Sequence, residues 1–544
     1  MTAPNARMSP RGLYLVGLGF IVLTIVLTYP QAPYLTSHVS GHFDSLFSVW
    51  RLAWVAHQIV TDPFHLFDAN IFFPARATLA YSDAMLLPGV VLAPLAWVGF
   101  SPVAIYNFAV LASFVCCATA AAALGWRLTG RIEAGVIAGV IFGFAPHRFD
   151  HFSHLELLLN WWMPLAFLAL RDALRTGSPR AYAALAACLV LQVLSCIYHG
   201  LFLGVSICAA AVAAIVTGQA TSPRKHLPGV AWLAVAAVLF LVYSLPYQAN
   251  RQVVGERPLE EIALYSARPS DFLATPPENV LYGGVTSQFG KAERFLFPGV
   301  LAFALAGIGL FSRRRRVIAV WVVTLWMATE LSLGLNGLIY PFLYEHVEVF
   351  HGLRAPARAG ILILLAIAAL AALGVEVILA KIRHRRAQIV VVGALVCGMT
   401  VEYYSRVQLV PLEAPPSVYR ILQQQTEAVV LELPVARPEA LAPMPEVLYM
   451  YYSTTHWKKL LNGYSGFYPK TYVLTLETLR NFPDETSLMF LEASGVTHIV
   501  LHRDFWFGKL EYDETVSLLR DSSVPLVVQT AGTTVFSLPR KAAN

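Results

Sequence analysis

Charge is scarce in this sequence. Of 544 residues, 13% are charged and 57% are hydrophobic. That balance excludes a soluble chain of this length, because one core could not hide so much apolar surface. Cysteine is scarce too. Cys116, Cys117, Cys188, Cys196, Cys208 and Cys397 all fall inside apolar segments, so no disulfide framework is implied, and no CxxC pair offers a metal-like spacing. The sequence also lacks a P-loop, a GxSxG elbow, an HExxH pair and a Rossmann fingerprint in a strand–turn–helix setting. Nucleotide-driven transport and lipase-like chemistry therefore lose their motifs. The net charge of +6 is modest. Its clusters at 313–316 and 381–386 flank apolar blocks, which is the placement of membrane-edge basic runs and argues against a nucleic-acid partner.

What is abundant is long apolar blocks. A helix needs about 20 residues to cross a hydrocarbon layer about 30 Å thick, and many blocks here reach that length. The first, 13–29, follows Arg7 and Arg11 and carries no small-residue cleavage site, so it reads as a retained span and not as a removed signal. Further candidates lie at 85–100, 102–124, 132–146, 157–170, 181–198, 200–217, 230–247, 297–312, 317–334, 359–380 and 388–404. If 85–100 spans, Arg127, Arg131, Arg171, Arg175, Arg180, Arg224, Lys225 and the 313–316 run all face outward, against the positive-inside bias. If it does not, every one of those clusters lies in the cytoplasm. The segment is short and holds Pro88 and Pro94, which interrupt helical hydrogen bonding, so it reads as a re-entrant or interfacial element. The blocks at 132–146 and 157–170 are short as well, but each can extend into its flanking loop. The expected fold class is an α-helical polytopic membrane protein of about eleven spans. The N-terminus is then cytoplasmic, and the long polar segments 30–101, 248–296, 335–358 and the tail share the outer side.

The tail differs in kind. Short apolar runs at 429–433, 498–501, 525–528 and 534–538 alternate with helix-like stretches at 470–481, 485–494 and 510–520. That alternation predicts a small α/β domain. A linker with Pro411, Pro415 and Pro416 precedes it, so the expected division is a transmembrane domain over 1–404, with a first extracytoplasmic loop at 30–101, and an extracytoplasmic α/β domain over 405–544.

Several polar residues at the outer boundary carry candidate chemistry. Phe43 to Val60 reads as an amphipathic interfacial helix with Trp50 and Trp54 as anchors. Asp44, at its start, is either an N-cap or a carboxylate able to take a proton from an acceptor hydroxyl. Asp83 in "LAYSDAML" either caps the 85–100 helix or adds a third acidic group. The loop "HRFDHFSHLE" concentrates His147, Arg148, Asp150, His151, His154 and Glu156, and ionisable groups at a membrane boundary need solvation or partners. Asp150, His151, His154 and Glu156 could ligate a divalent metal. The spacing matches no strict metal motif, so a solvated histidine cluster is the competing reading. His199 in "CIYHG" is a boundary histidine, structural or substrate-facing. Arg354 and Arg358 in "FHGLRAPARAG" stand on the outer side against the usual bias. A phosphate or pyrophosphate group accounts for them, since guanidinium binds it bidentately; phospholipid anchoring is the alternative. Glu330 is placed to pair with one of them.

This pattern resembles the GT-C superfamily of membrane glycosyltransferases, which use polyprenyl-phosphate-linked sugars. The features that carry the resemblance are Asp44 in "GHFDSLF" in the first outer loop, interfacial helices in that loop, and Asp150 in the outer loop between the third and fourth spans. A C-terminal outer domain after an odd number of spans also matches. "DANIFFP…TLAYSD", "VLELPV" and "NGYSGFYP" are similar to a bacterial branch of that superfamily. The resemblance implies an inverting transfer in cell-envelope glycan modification at the inner (plasma) membrane. The donor would be a polyprenyl-phosphate sugar, and the acceptor a glycan or lipid hydroxyl. Asp44 would be the base or an orienting carboxylate. Asp150, with Asp83, would hold acceptor or metal, and Arg354 and Arg358 would bind the lipid phosphate, with His199 nearby. The family's first motif often has two adjacent acidic residues, and Asp44 stands alone. A transporter or flippase for a lipid-linked glycan is the alternative; it favours broken mid-membrane helices and repeats, whereas the charges here cluster at the boundary. A non-catalytic scaffold of the same architecture is the third reading.

Overall fold

A computed structural model describes residues 10–436, 443–506 and 509–539; Arg7 lies outside the described residues. Among these, eight helices are long and apolar enough to cross a bilayer. They include Pro102–Thr129, Ile197–Val216, Leu227–Val254 and Pro356–Ala380, with shorter apolar helices at Tyr14–Leu27, Pro179–Ser195 and Val300–Gly309. The two short blocks do extend into their loops, giving continuous segments Ile132–Asp150 and Leu155–Thr176. The protein is thus a multi-pass membrane protein. Contacts divide the chain into two compact units. The first comprises Met1–Ser40, Asn107–Ser244 and Glu256–Leu409; the second comprises Gly41–Tyr106, Leu245–Gly255 and Val410–Asn544.

The first unit is built around Gly360–Ala380, a helix apolar on all sides and buried along most of its length. It packs on Val300–Gly309, Ile132–Phe144 and Arg315–Leu333. Its closest crossing is made by two glycines. A Cβ on Gly309 would lie 2.0 Å from the Leu370 carbonyl oxygen, and one on Gly374 2.0 Å from that of Leu305. Without a hydrophobic drive between helices in lipid, such small residues let backbones approach for dispersion contact.

The basic clusters collect at one end of this unit. Arg127 pairs with Asp172 at 2.8 Å, and Arg171 donates to the Arg127 carbonyl at 2.8 Å. Arg314 bridges Glu376 (2.8 Å) and the Thr129 carbonyl (3.1 Å). Gln219 reaches the Arg316 carbonyl at 3.0 Å, and Arg385 contacts Glu133. One polar end therefore holds the clusters that the sequence assigns to one side.

The second unit joins the loop after the first apolar helix to the tail. The tail forms a five-stranded sheet in the order Lys459–Leu460, Val429–Leu433, His498–His502, Thr533–Ser537, Leu526–Gln529. The first two pairings are parallel and the last two antiparallel. Alternation along the strands sends Leu431, Leu433, Ile499, Leu501 and Phe536 into one core with Leu491, Val516 and Leu519. Those three come from the helices Glu485–Ala493 and Lys509–Asp521. The opposite face buries Glu432 and His502, bonded to each other at 2.7 Å and to the Tyr419 hydroxyl at 2.9 and 3.1 Å.

The loop segment at 70–73 extends this sheet at its Lys459–Leu460 edge. Leu460 donates to the Asn70 carbonyl (2.7 Å), Phe73 to Leu460 (2.9 Å) and Phe72 to Asn462 (2.9 Å). The helix Phe43–Thr61 does form, but its tryptophans are not lipid anchors. Trp50 and Trp54 are buried, donating to Asn70 Oδ1 at 3.2 Å and the Leu66 carbonyl at 2.9 Å. An aromatic stripe suits a protein partner as well as a lipid one, and here Pro443–Ser453 and Leu86–Trp97 cover it. Leu86–Trp97 has 12 residues with Pro94 inside. At 1.5 Å per residue it is about 18 Å long, too short to cross a bilayer alone.

Candidate functional site

In the second unit, Asp44 lies in the first turn of Phe43–Thr61 and does not cap it. His42 is the N-cap, and its Nδ1 accepts the Asp44 N–H at 3.3 Å. Released from capping, the Asp44 carboxylate is 14% exposed and lies 3.3 Å from His42 Nδ1. It accepts a hydrogen bond from the Tyr464 hydroxyl at 3.2 Å. A carboxylate at a helix N-terminus is stabilised as an anion by the unsatisfied amides there. Asp83 does not cap its helix either: Met85, in the left-handed region, is the N-cap and supplies no side-chain bond. The Asp83 carbonyl accepts Arg51 Nη1 at 2.8 Å. Arg51 is itself buried, bonded to Ser48 and stacked 4.3 Å over the Phe47 ring.

In the first unit, a charge cluster forms from segments far apart in sequence. Its centre is Glu293, which the sequence does not single out. Glu293 accepts Arg358 Nε at 2.7 Å and Nη2 at 2.5 Å, a bidentate pair with both side chains about nine-tenths buried. Burial alone would raise the Glu293 pKa, but the Arg358 charge and hydrogen bonds, with His154 and His151, hold it well below the carboxylate range. Its backbone has φ of 71°, a left-handed conformation costly for a residue with a Cβ and found where surrounding contacts over-determine it. One such contact is to Asp150, whose Oδ2 accepts the Glu293 N–H at 2.9 Å. Asp150 is thus buried and committed to holding that turn.

Arg354 is looser than Arg358. Its side chain is 29% exposed, with Nη1 3.6 Å from Glu261 and Nη2 4.0 Å from Glu293. Its backbone N–H donates to the Tyr198 hydroxyl at 2.9 Å. Arg257, also unflagged by sequence, lies 3.4 Å from Glu261. His199 is buried in the neighbourhood of Arg358. Glu330 does not pair with either arginine. It accepts the Leu338 N–H at 2.8 Å, at the start of Ile339–His346, a role that a free helix N-terminus offers any nearby carboxylate.

The expected metal ligands do not form a set. His151 Nε2 is 4.0 Å from Asp150, and His154 Nε2 turns to Glu293, also at 4.0 Å. Glu156 is buried in the helix Leu155–Leu158. Burial and the neighbouring His147 push the His151 pKa well down. Among the described residues no three His, Cys, Asp or Glu side chains form a group that could hold a metal ion. Asp150 spends its oxygen on a backbone amide and Glu293 its pair on Arg358, so the donors are already engaged.

No family model matches the sequence, and no curated protein is similar to it in sequence. Its fold is similar to solved structures. The arabinofuranosyltransferase AftD from Mycobacteria matches with a TM-score of 0.61 at 14% identity, over 98% of this chain; the chain spans 42% of the length of that protein. The oligosaccharyltransferase AglB from Archaeoglobus fulgidus, with an inhibitory peptide and a dolichol-phosphate, gives 0.44 at 11% over 96% of this chain and 74% of its own. ArnT from Cupriavidus metallidurans gives 0.39 at 12% over 97% and 98%. The first of these likenesses shows that nearly the whole chain shares a fold with part of that arabinofuranosyltransferase.

Proposed function

We propose that the protein is a glycosyltransferase that moves a sugar from a polyprenyl-phosphate donor to an extracytoplasmic acceptor hydroxyl, with inversion, in cell-envelope glycan modification. The observation that carries this reading is the Asp44 carboxylate. In a chain that shares a fold with part of an arabinofuranosyltransferase, it is partly exposed, relieved of capping and backed by a hydroxyl donor. Asp44 takes the acceptor's proton as its oxygen attacks the anomeric carbon. The bond from that carbon to the phosphate oxygen breaks, and polyprenyl phosphate leaves with the electron pair. General-base assistance of this kind contributes about 10²–10⁴-fold.

In the membrane unit, Arg354 is the residue suited to the phosphate, since it is partly exposed and only loosely held. Arg358 and Asp150 act as positioning residues. The first neutralises Glu293 and the second fixes its turn, with His199 buried nearby. The reading routes no step through a metal. It places the protein in the inner membrane with the N-terminus cytoplasmic and the tail extracytoplasmic, which the gathering of basic clusters at one end of the first unit supports.

Mass spectrometry of cell-envelope glycans with and without the gene tests the function. Loss of one sugar substituent is expected. An unchanged glycan profile with accumulated lipid-linked glycan on the cytoplasmic face would favour a flippase.

A further inference from the structure

The tail is joined to the first loop by specific contacts, and one of them ends on Asp44. Asn462 is fixed by paired bonds to the Glu432 main chain, accepting its N–H at 2.7 Å and donating to its carbonyl at 3.0 Å. Its own carbonyl accepts the Phe72 N–H. Gly463 follows, so close to the Phe72 ring that a Cβ would lie 2.9 Å from it, and its N–H donates to buried Glu446 at 3.2 Å. These constraints aim the next residue, Tyr464. Its ring meets Phe43 and Phe47 edge-on, with centroids 5.3 and 5.2 Å apart, and its hydroxyl donates to Asp44 Oδ1.

We infer that Tyr464 is a positioning residue for Asp44, so that the C-terminal domain completes the base and does not merely cover it. The inference rests on the function proposed above. A hydroxyl bonded to one carboxylate oxygen restrains the side-chain rotamer and so the direction in which the carboxylate meets an acceptor. It also stabilises the ionised form over the protonated one. Titratable groups facing Asp44 include His42 from its own helix start, and Tyr464 and Tyr468 from the tail. Of these, Tyr464 makes the hydroxyl bond.

The test compares Tyr464→Phe with wild type, Asp44→Asn and a control, Tyr451→Phe, in proteoliposomes. Titrated amounts of the polyprenyl-phosphate sugar pool extracted from the source membranes serve as donor. Phenylalanine keeps the ring contacts, so folding is preserved. The expected result is a roughly 10-fold fall in kcat, as for one lost bond to a charged group, with KM unchanged. The acid limb of the kcat/KM profile should move to higher pH, because the carboxylate loses a bond that favours its ionised form. Tyr451→Phe should match wild type. A Tyr464→Phe enzyme with wild-type kcat and an unmoved acid limb, beside an inactive Asp44→Asn, would overturn this inference alone. A fully active Asp44→Asn would overturn the proposed function with it.

Discussion

Asp44 and Asp150 both sit where an apolar helix meets a polar segment, and the sequence gives them equal standing. The fold treats them differently. Asp150 is buried and takes a backbone N–H from a residue in a left-handed turn. Asp44 is partly open, with the Tyr464 hydroxyl and the His42 imidazole beside its carboxylate. A base must be reachable by the acceptor, and of the two carboxylates Asp44 is the more exposed, at 14% against 6%. A carboxylate committed to main-chain hydrogen bonding is a structural element even when its position looks catalytic. The same contrast divides the arginines. Arg358 is spent on Glu293, while Arg354 stays open to an anion.

The comparison can be sharpened by removing the partners that make these groups differ. Glu293→Ala leaves the Arg358 guanidinium buried without its counter-charge, which should cost about 3–5 kcal/mol of stability, read as a large drop in thermal unfolding temperature in detergent. Because the Glu293 pKa is depressed, the stability it contributes is present above the ordinary carboxyl value of 4.5 and is lost as pH falls through its folded value. The gap between wild type and variant should therefore be constant at neutral pH and close only in acid. Arg354→Ala should leave folding intact and raise the donor KM about 10–100-fold, the worth of one hydrogen bond to a charged group. An unchanged KM would remove Arg354 from the phosphate site.

A further, pH-dependent effect concerns Glu446. Burial, opposed by hydrogen bonds from Tyr472, Asn462 and the Ala436 and Gly463 main chain, raises its pKa from 4.5 to about 7. Between those values the folded protein holds a proton that the unfolded chain has lost, so stability falls as pH rises through that window. Glu446→Gln should remove this slope, gaining on wild type between pH 4.5 and about 7, as followed by chemical unfolding at stepped pH.

Much of the fold was legible because it follows from periodicity. Apolar blocks became helices, and the alternating runs at 429–433 and 498–501 became the central strands. The charged segments around Asp150 and Arg358 were legible as unusual, because ions at a bilayer edge need a reason. What joins them was not. Glu293 sits in "GKAERFL", a stretch that reads as ordinary solvated loop, and nothing in it signals a left-handed backbone or a buried pair made across 65 residues. Trp50 and Trp54 were misread because aromatic periodicity marks an apolar environment without saying whether lipid or protein supplies it. Tyr464 stood out only as part of an aromatic segment. Its bond to Asp44, across 420 residues, depends on a strand pairing between loop and tail that neither segment announces alone.

The central claim is that Asp44 accepts the acceptor's proton in a sugar transfer. It is tested most directly by measuring sugar transfer from extracted polyprenyl-phosphate sugars, with purified wild type and Asp44→Asn in proteoliposomes. Transfer by the wild type and a loss of about 10²–10⁴-fold in the variant, with both proteins inserted and equally stable, is the result expected. Equal transfer by the two would contradict the claim.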